Sequence, residues 1–413
     1  MKLMKVTAPD KVTEIIRDNF RPLNSEDVNL SEAAGRHLAE DVNSPEDIPG
    51  FDRSTVDGYA VRAQDTFGAS ESLPALIDCV GEVFMGKTAP DMGVGECCLI
   101  HTGGMLPQSA DAVVMVEDTD STGHTVNIYR QVAPGANVIH RGEDLNAGYT
   151  ALTKGTLLRS PEVGLLASIG VQKVKVYHRP VVGILSTGDE LVDTETENLK
   201  PGEVRDCNSP ALAYLCEAYG AKIVRGGILP DIYDEFFRQS RELLDKVDFL
   251  VLSGGSSVGT RDFTARTLQE MGKPGLLVEG ISVQPGKPTL LANCDGKPVM
   301  GLPGHPVSAL NVFSIFGKAV LRLLAGNIFE DFSPAVQAVL TRNVPSRSGR
   351  TDYVRVKLER DKKSDDALRV LAAPVFGRSG MLRTLAEADG YIVIGAAEEG
   401  LSEGTLVEVF GID

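Results

Sequence analysis

The feature that most constrains this chain is the regular alternation between residues 180 and 326. Val181–Leu185 is an apolar, strand-like run followed by the polar loop Ser186–Glu190. Asn208 or Ser209 then caps a segment with Pro210 in its first turn and Leu212, Leu215, Cys216 and Tyr219 on one helical stripe. Gly220 closes it, Lys222–Leu229 reads as the next strand, and Ile232, Phe236, Leu243 and Val247 line a further helix before the strand Phe249–Ser253. Strands separated by helices of this length predict an α/β domain with a parallel-type sheet and right-handed crossovers. The helix Val307–Ala325 ends the block.

Everything else is arranged around that unit. Residues 1–46 read as mainly helical, with a second helix near Ser31, and together with 145–178 they form an elongated helical and mixed connector, the segment to which the family resemblance drawn from the motifs assigns dimerisation. Residues 47–144 are short strands punctuated by Gly and Pro, a β-rich domain. The α/β domain spans 179–326. Residues 327–413 return to strands (335–341, 353–358, 368–372, 391–394 and 405–410), as in a barrel-like C-terminal domain. A chain of 413 residues has room for about two to four domains at roughly 150 residues each.

Composition excludes several classes. With 41 basic and 57 acidic residues the net charge is −16, and no basic run offsets it, so nucleic acid and anionic membrane are repelled. No apolar run reads as a membrane span, and the first residues lack the apolar core of a signal peptide. Six cysteines without CxxC or zinc spacing indicate reduced thiols and a cytoplasmic protein.

Two pattern matches are decoys. Gly81–Thr88 satisfies G-x-x-x-x-G-K-T, but Ala-Pro-Asp-Met-Gly follows where a phosphate loop needs a helix, so strand plus loop is expected. Gly255–Gly259 satisfies G-x-S-x-G around Ser257, with His305 and Asp295 downstream. No helix is expected directly after it, so a serine hydrolase is the lesser alternative.

The acids are more informative. Glu190, Asp231 and Asp262 each fall just beyond a predicted strand's carboxyl end, the rim where open α/β sheets bind ligands. Singly each has a bland reading, Asp231 as a helix cap for instance. Three together would repel an anionic substrate unless Mg²⁺ lay between. Ser253–Ser257, with Gly254 and Gly255, can form a nest of amides and hydroxyls. Gln284-Pro-Gly-Lys287-Pro fixes one cation between prolines, and Gly301–Ser308 opens a helix N-terminus. In the β-rich domain, Phe51–Ala60, Thr102-Gly-Gly and Arg141–Asp144 are polar and Gly-rich.

Together these motifs resemble the MoeA family of molybdopterin molybdenumtransferases, to which the gephyrin E domain is related. The matching stretches are PGFDRSTVDGYAVRA, TGGMLPQSADAVVMVEDT, RGEDL, ILSTGDELV, SGGSSVGTRDF, QPGKP, GLPGHPVSAL and GRTDYVRVKL, in family order. The resemblance implies four domains, an elongated homodimer, and insertion of molybdate into adenylylated molybdopterin with Mg²⁺, releasing AMP. It implies that Glu190, Asp231 and Asp262 hold metal and phosphates, that Ser257, Lys287, Ser308, Arg350 and Ser379 lie near the oxyanion, and that Asp57, Thr102 and Asp144 reach the site from the N-terminal half. The molybdopterin adenylyltransferase and downstream molybdoenzyme chaperones are the implied partners. Two departures stand out: Gln284 where members often carry a second Lys, and His305 where they carry Asn. The alternative within the same fold is a dimeric scaffold without chemistry.

Overall fold

A computed structural model describes residues 5–254, 258–327, 336–361 and 369–411, with the backbone alone for 258–262. The central unit is a six-stranded sheet in the order Lys222–Leu229, Val181–Thr187, Phe249–Gly254, Lys297–Leu302, Leu290–Cys294, Pro274–Val278. The first four are mutually parallel, as the strand–helix alternation predicts. The sheet as a whole is mixed, because Leu290–Cys294 runs antiparallel to both its neighbours. Its hairpin turns at Asp295-Gly296, both with positive φ (55° and 90°). An Asp-Gly pair adopts that backbone readily.

Helices Asn208–Ala218, Tyr233–Leu244 and Val258–Glu270 and the long helix Pro306–Leu324 cover the sheet. The last matches the expected helix Val307–Ala325 to within one residue at each end, and it is long and apolar enough to cross a membrane by composition, a run that the residue pattern alone does not mark. Val307, Phe313, Phe316, Val320 and Leu324 are nevertheless buried in the protein core, with Phe313 stacked on Phe249 of the sheet at 6.2 Å. Burying each such side chain contributes about 1.5–3 kcal/mol.

The N-terminal region differs from the expectation of mainly helix. It has one α-helix, Pro9–Asn19, whose Val12 and Ile16 (one turn apart) join Phe20 in the core of the α/β unit. Ser25–Asn29 is instead a strand paired antiparallel with Lys173–Tyr177, and Ser31 lies in a single 3-10 turn. Backbone pairing across some 150 residues outcompetes local propensity there. Around this ribbon Leu38, Leu158, Leu166, Ile169 and Val176 make a separate small core.

The β-rich region holds a six-stranded sheet in the order Ala112–Met115, Gly58–Val61, Glu96–Ile100, Ala75–Val83, Thr125–Ile128, Thr119–Thr122. Gly81–Val83 completes one of these strands, so the phosphate-loop match is strand plus loop, as expected. Near the C-terminus, Thr351–Arg360, Val370–Pro374, Val336–Leu340, Leu406–Gly411 and Gly390–Ile394 close on one another as a barrel. The short strand Val283-Gln284 of the α/β unit pairs parallel with Thr351-Asp352, which fastens the barrel beside the sheet rim.

Candidate functional site

The carboxyl ends of Val181–Thr187, Lys222–Leu229 and Phe249–Gly254 open into a cavity of about 420 Å³, which Glu190, Asp231, Ser253, Gly254, Asn208 and His305 help to line. Tight local geometry builds it. Gly254 has φ +126°, and a Cβ there would stand 2.1 Å from the Thr187 carbonyl oxygen. Only glycine lets the two strand ends approach so closely. Gly188 has φ +154°, and a Cβ there would meet the Glu190 carboxylate at 2.7 Å.

The Thr187 hydroxyl donates to Asp231 Oδ1 at 2.8 Å, and the Asp231 amide donates to Asp189 Oδ1 at 3.0 Å. Burial raises the Asp231 carboxyl above the usual carboxylate range; the Thr187 hydrogen bond opposes this, while Asp189 and Glu190 add to it. Such a cluster of negative charge favours a bound cation. Among the described residues no three His, Cys, Asp or Glu side chains come together as a ready metal cage. A Mg²⁺ ion held by one or two carboxylates and completed by substrate phosphates needs none, so Glu190 and Asp231 fit that ion.

Asn208, read from sequence as a helix cap, ties the rim together. Its Nδ2 donates to Ser253 Oγ at 2.9 Å and to the Gly304 carbonyl at 3.0 Å. The helix start is capped instead by Asp206, which accepts from the Asn208 and Ser209 amides and the Ser209 hydroxyl. Arg205 also faces the cavity. Nothing in the local sequence marks it.

The oxyanion candidates separate. A second cavity of about 220 Å³ between sheet rim and barrel is lined by Gln284, Asp352, Arg355, Arg378 and Ser379, among others. Ser379 Oγ lies 2.9 Å from His305 Nδ1, and the Val307 amide donates to the Ser379 carbonyl at 3.1 Å. Arg350 Nε lies 2.8 Å from Asp352 Oδ1, an ionic contact not aligned as a hydrogen bond, and Nη1 donates to Gln284 Oε1 at 3.5 Å. Ser308 is buried in the first turn of the long helix. Lys287 is exposed and lines neither cavity. Its turn is nonetheless rigid: Gly286 has φ +119° and would place a Cβ 2.0 Å from Val312 Cγ2, and Asn311 donates to the Pro285 carbonyl at 3.0 Å.

In the β-rich region Asp57 accepts from the Thr102 amide at 2.7 Å and its hydroxyl at 3.1 Å, which holds its carboxyl below the usual range. Asp144 is exposed, and its amide donates to the Ile48 carbonyl. The neighbouring Arg141 amide is held by Asp52 at 2.7 Å. Asp57 and Thr102 thus form one pair, Asp144 stands on another loop, and none of the three lines the rim cavity.

Gly255 and Ser257, and the side chain of Asp262, lie outside the described residues. One argument against a nucleophile elbow fails, because the helix Val258–Glu270 does follow the strand. The hydrolase reading still gains nothing, since His305 is engaged with Ser379.

Three family models match in order: the MoeA N-terminal region (domains I and II) over 7–170, a molybdopterin-binding domain over 183–323, and the MoeA C-terminal region (domain IV) over 337–411. A molybdopterin molybdenumtransferase of Bacillus subtilis is 32% identical over 388 residues, covering 92% of this chain and 88% of that one. Its counterpart from Haemophilus influenzae is 35% identical over 336 residues, 81% of each chain. The crystal structure of a molybdopterin biosynthesis MoeA protein from Pyrococcus horikoshii OT3 superposes with a TM-score of 0.84 at 30% identity, covering 98% of this chain and all of that one. The chain belongs to the MoeA family.

Proposed function

We propose that this enzyme inserts molybdate into adenylylated molybdopterin, releasing AMP and forming molybdenum cofactor. The observation that carries the reading is the convergence of Glu190 and Asp231 on one cavity at the sheet rim, in a chain whose relatives bear the molybdenumtransferase name. Glu190 and Asp231, with Asp262, would hold Mg²⁺, which when bound neutralises phosphate oxygens and the charge on departing AMP.

The residues of the chain do the positioning. Thr187 favours the charged form of Asp231 against the burial that opposes it, and Gly254 lets its strand end pack against the Thr187 carbonyl at the cavity. Asn208 holds Ser253 and the Gly304 turn in place on either side. The phosphoanhydride bond opens to an oxygen of water or molybdate, and AMP leaves with the bonding electrons. No protein nucleophile is required. Cys207, a thiol in the cavity, is pushed up by burial and stays protonated, a poor nucleophile.

We further propose a homodimer in which the Asp57–Thr102 pair of one chain covers the rim of the other. Its support is that this pair is exposed and outside the rim cavity of its own chain. The enzyme would work in the cytoplasm, consistent with six free thiols. There it would receive substrate from the adenylyltransferase and pass product to molybdoenzyme chaperones. The test is to incubate the protein with adenylylated molybdopterin, Mg²⁺ and molybdate, and to assay the product by activation of an apo-molybdoenzyme. Activation that needs all components supports the reading; activation equal to a protein-free control refutes it.

A further inference from the structure

A third cavity, of about 230 Å³, lies where the α/β unit meets the barrel, and its single charged residue is Arg355. Tyr214 and Leu215 of the helix Asn208–Ala218, Leu310 of the long helix, and Leu385 and Tyr391 of the C-terminal region give it apolar walls. Tyr391 is held between Tyr353 and Phe410, with ring centroids 5.7 Å away in each case, so that wall is rigid. Tyr214 is 68% exposed, and the cavity opens to solvent beside it.

The guanidinium of Arg355 is short of partners. The residue is only 9% exposed, and its Nε is buried with no hydrogen-bond partner. Among the described residues its one hydrogen bond runs from Nη2 to the Gly377 carbonyl, at a long 3.4 Å. Burial pushes its pKa down, and no neighbouring anion pulls it back. A guanidinium has five N–H donors and stays charged at neutral pH. Leaving such a charge buried and unpaired is costly, so the site favours an anion.

Arg355 also lines the smaller cavity, but Asp352 and Arg378 share that lining, so both signs of charge are already present there. In the third cavity nothing offsets it. No Asp or Glu lines that cavity, and Asn311 gives its amide nitrogen to the Pro285 carbonyl at 3.0 Å. Ser314 is the remaining polar side chain. Apolar walls with one uncompensated cation select an apolar body that carries a single negative charge. Volume sets the size: an apolar cavity of about 150 Å³ takes a benzene ring, so this one takes a ring with a short side chain. Two tyrosines in the walls suit an aromatic ring better than an aliphatic chain.

We propose that this cavity binds a small aromatic monocarboxylate, with its ring against Tyr214 and Tyr391 and its carboxylate on Arg355. The site shares no lining residue with the rim cavity, so it does not depend on the reaction assigned there.

The experiment is fluorine NMR line broadening of para-fluorophenylacetate titrated with the full-length protein. The matching alcohol and amine serve as neutral and cationic probes. Wild type should need about tenfold more alcohol than acid for equal broadening, the weight of one charge-assisted hydrogen bond, and the amine should not displace the acid. Arg355→Met should bring the acid down to the level of the alcohol and leave the alcohol unchanged. Ala211→Phe, which fills the cavity from its helix wall, should abolish binding of both. Tyr214→Ala, at an exposed position where folding is not at stake, should weaken acid and alcohol together. Melting temperatures show which variants are folded; if Arg355→Met is not, the wild-type ratio of acid to alcohol and the Tyr214→Ala result decide. No broadening of the acid by wild type, equal broadening of acid and alcohol, or wild-type binding by folded Ala211→Phe or Tyr214→Ala overturns the proposal.

Discussion

Thr187 and Asp231 sit at the ends of adjacent parallel strands, and the threonine hydroxyl donates to the aspartate carboxylate at 2.8 Å. That bond counters the burial and the two neighbouring acids that push Asp231 toward its neutral form. Thr187→Val keeps the shape and removes the donor. It should raise the Mg²⁺ concentration for half-maximal AMP release by about three- to tenfold, the weight of one hydrogen bond to a carboxylate. A Mg²⁺ titration of the variant checks this.

Gly254→Ala should be far more damaging than its size suggests. The added carbon meets the Thr187 carbonyl at 2.1 Å, in a backbone conformation at φ +126°. Backbone strain alone costs about 1–3 kcal/mol, and the clash adds to it. A lower midpoint in chemical denaturation together with lost AMP release is expected.

Asn208→Ala should loosen the rim without emptying it of charge. It leaves Ser253 Oγ and the Gly304 carbonyl short of a donor, at a cost of about 1–3 kcal/mol. Asn208→Asp, which cannot donate, should be at least as harmful. Denaturation midpoints and pterin half-saturation of both variants measure this.

His37 gives a pH prediction for stability. Burial, helped by the Arg322 charge and opposed by a bond to the Ala325 carbonyl, lowers its pKa to about 4. The unfolded chain therefore takes up a proton first, near the ordinary histidine value of about 6.5. Stability contributed by the neutral ring is complete above that value and is lost as pH falls toward 4. The melting temperature should decline over that window, and His37→Gln should flatten the decline.

Much of this architecture is legible from residue pattern. Apolar spacing around Leu212, Leu215 and Cys216 marks the helix Asn208–Ala218, and the C-terminal strands fall within a few residues of their predicted positions. The antiparallel hairpin around Asp295-Gly296 was legible in principle, because Asp-Gly between apolar runs is a strong turn signal. The strand Ser25–Asn29 was not, since its partner Lys173–Tyr177 lies about 150 residues away. Glu190 and Asp231 are readable as rim acids because strand ends are readable. The bonds Asn208–Ser253 and His305–Ser379 join residues 45 and 74 positions apart, and only tertiary packing brings them together.

The most direct measurement is AMP release from adenylylated molybdopterin in the presence of molybdate, with and without Mg²⁺, for wild type and Asp231→Asn side by side. Wild type should release AMP only when both Mg²⁺ and molybdate are present, and excess chelator should stop it. Asp231→Asn, neutral at every pH, should lose at least about tenfold in rate and need more Mg²⁺ to reach it. Full wild-type turnover in chelator, or an Asp231→Asn enzyme as fast as wild type at the same Mg²⁺, would contradict the assignment of the rim acids.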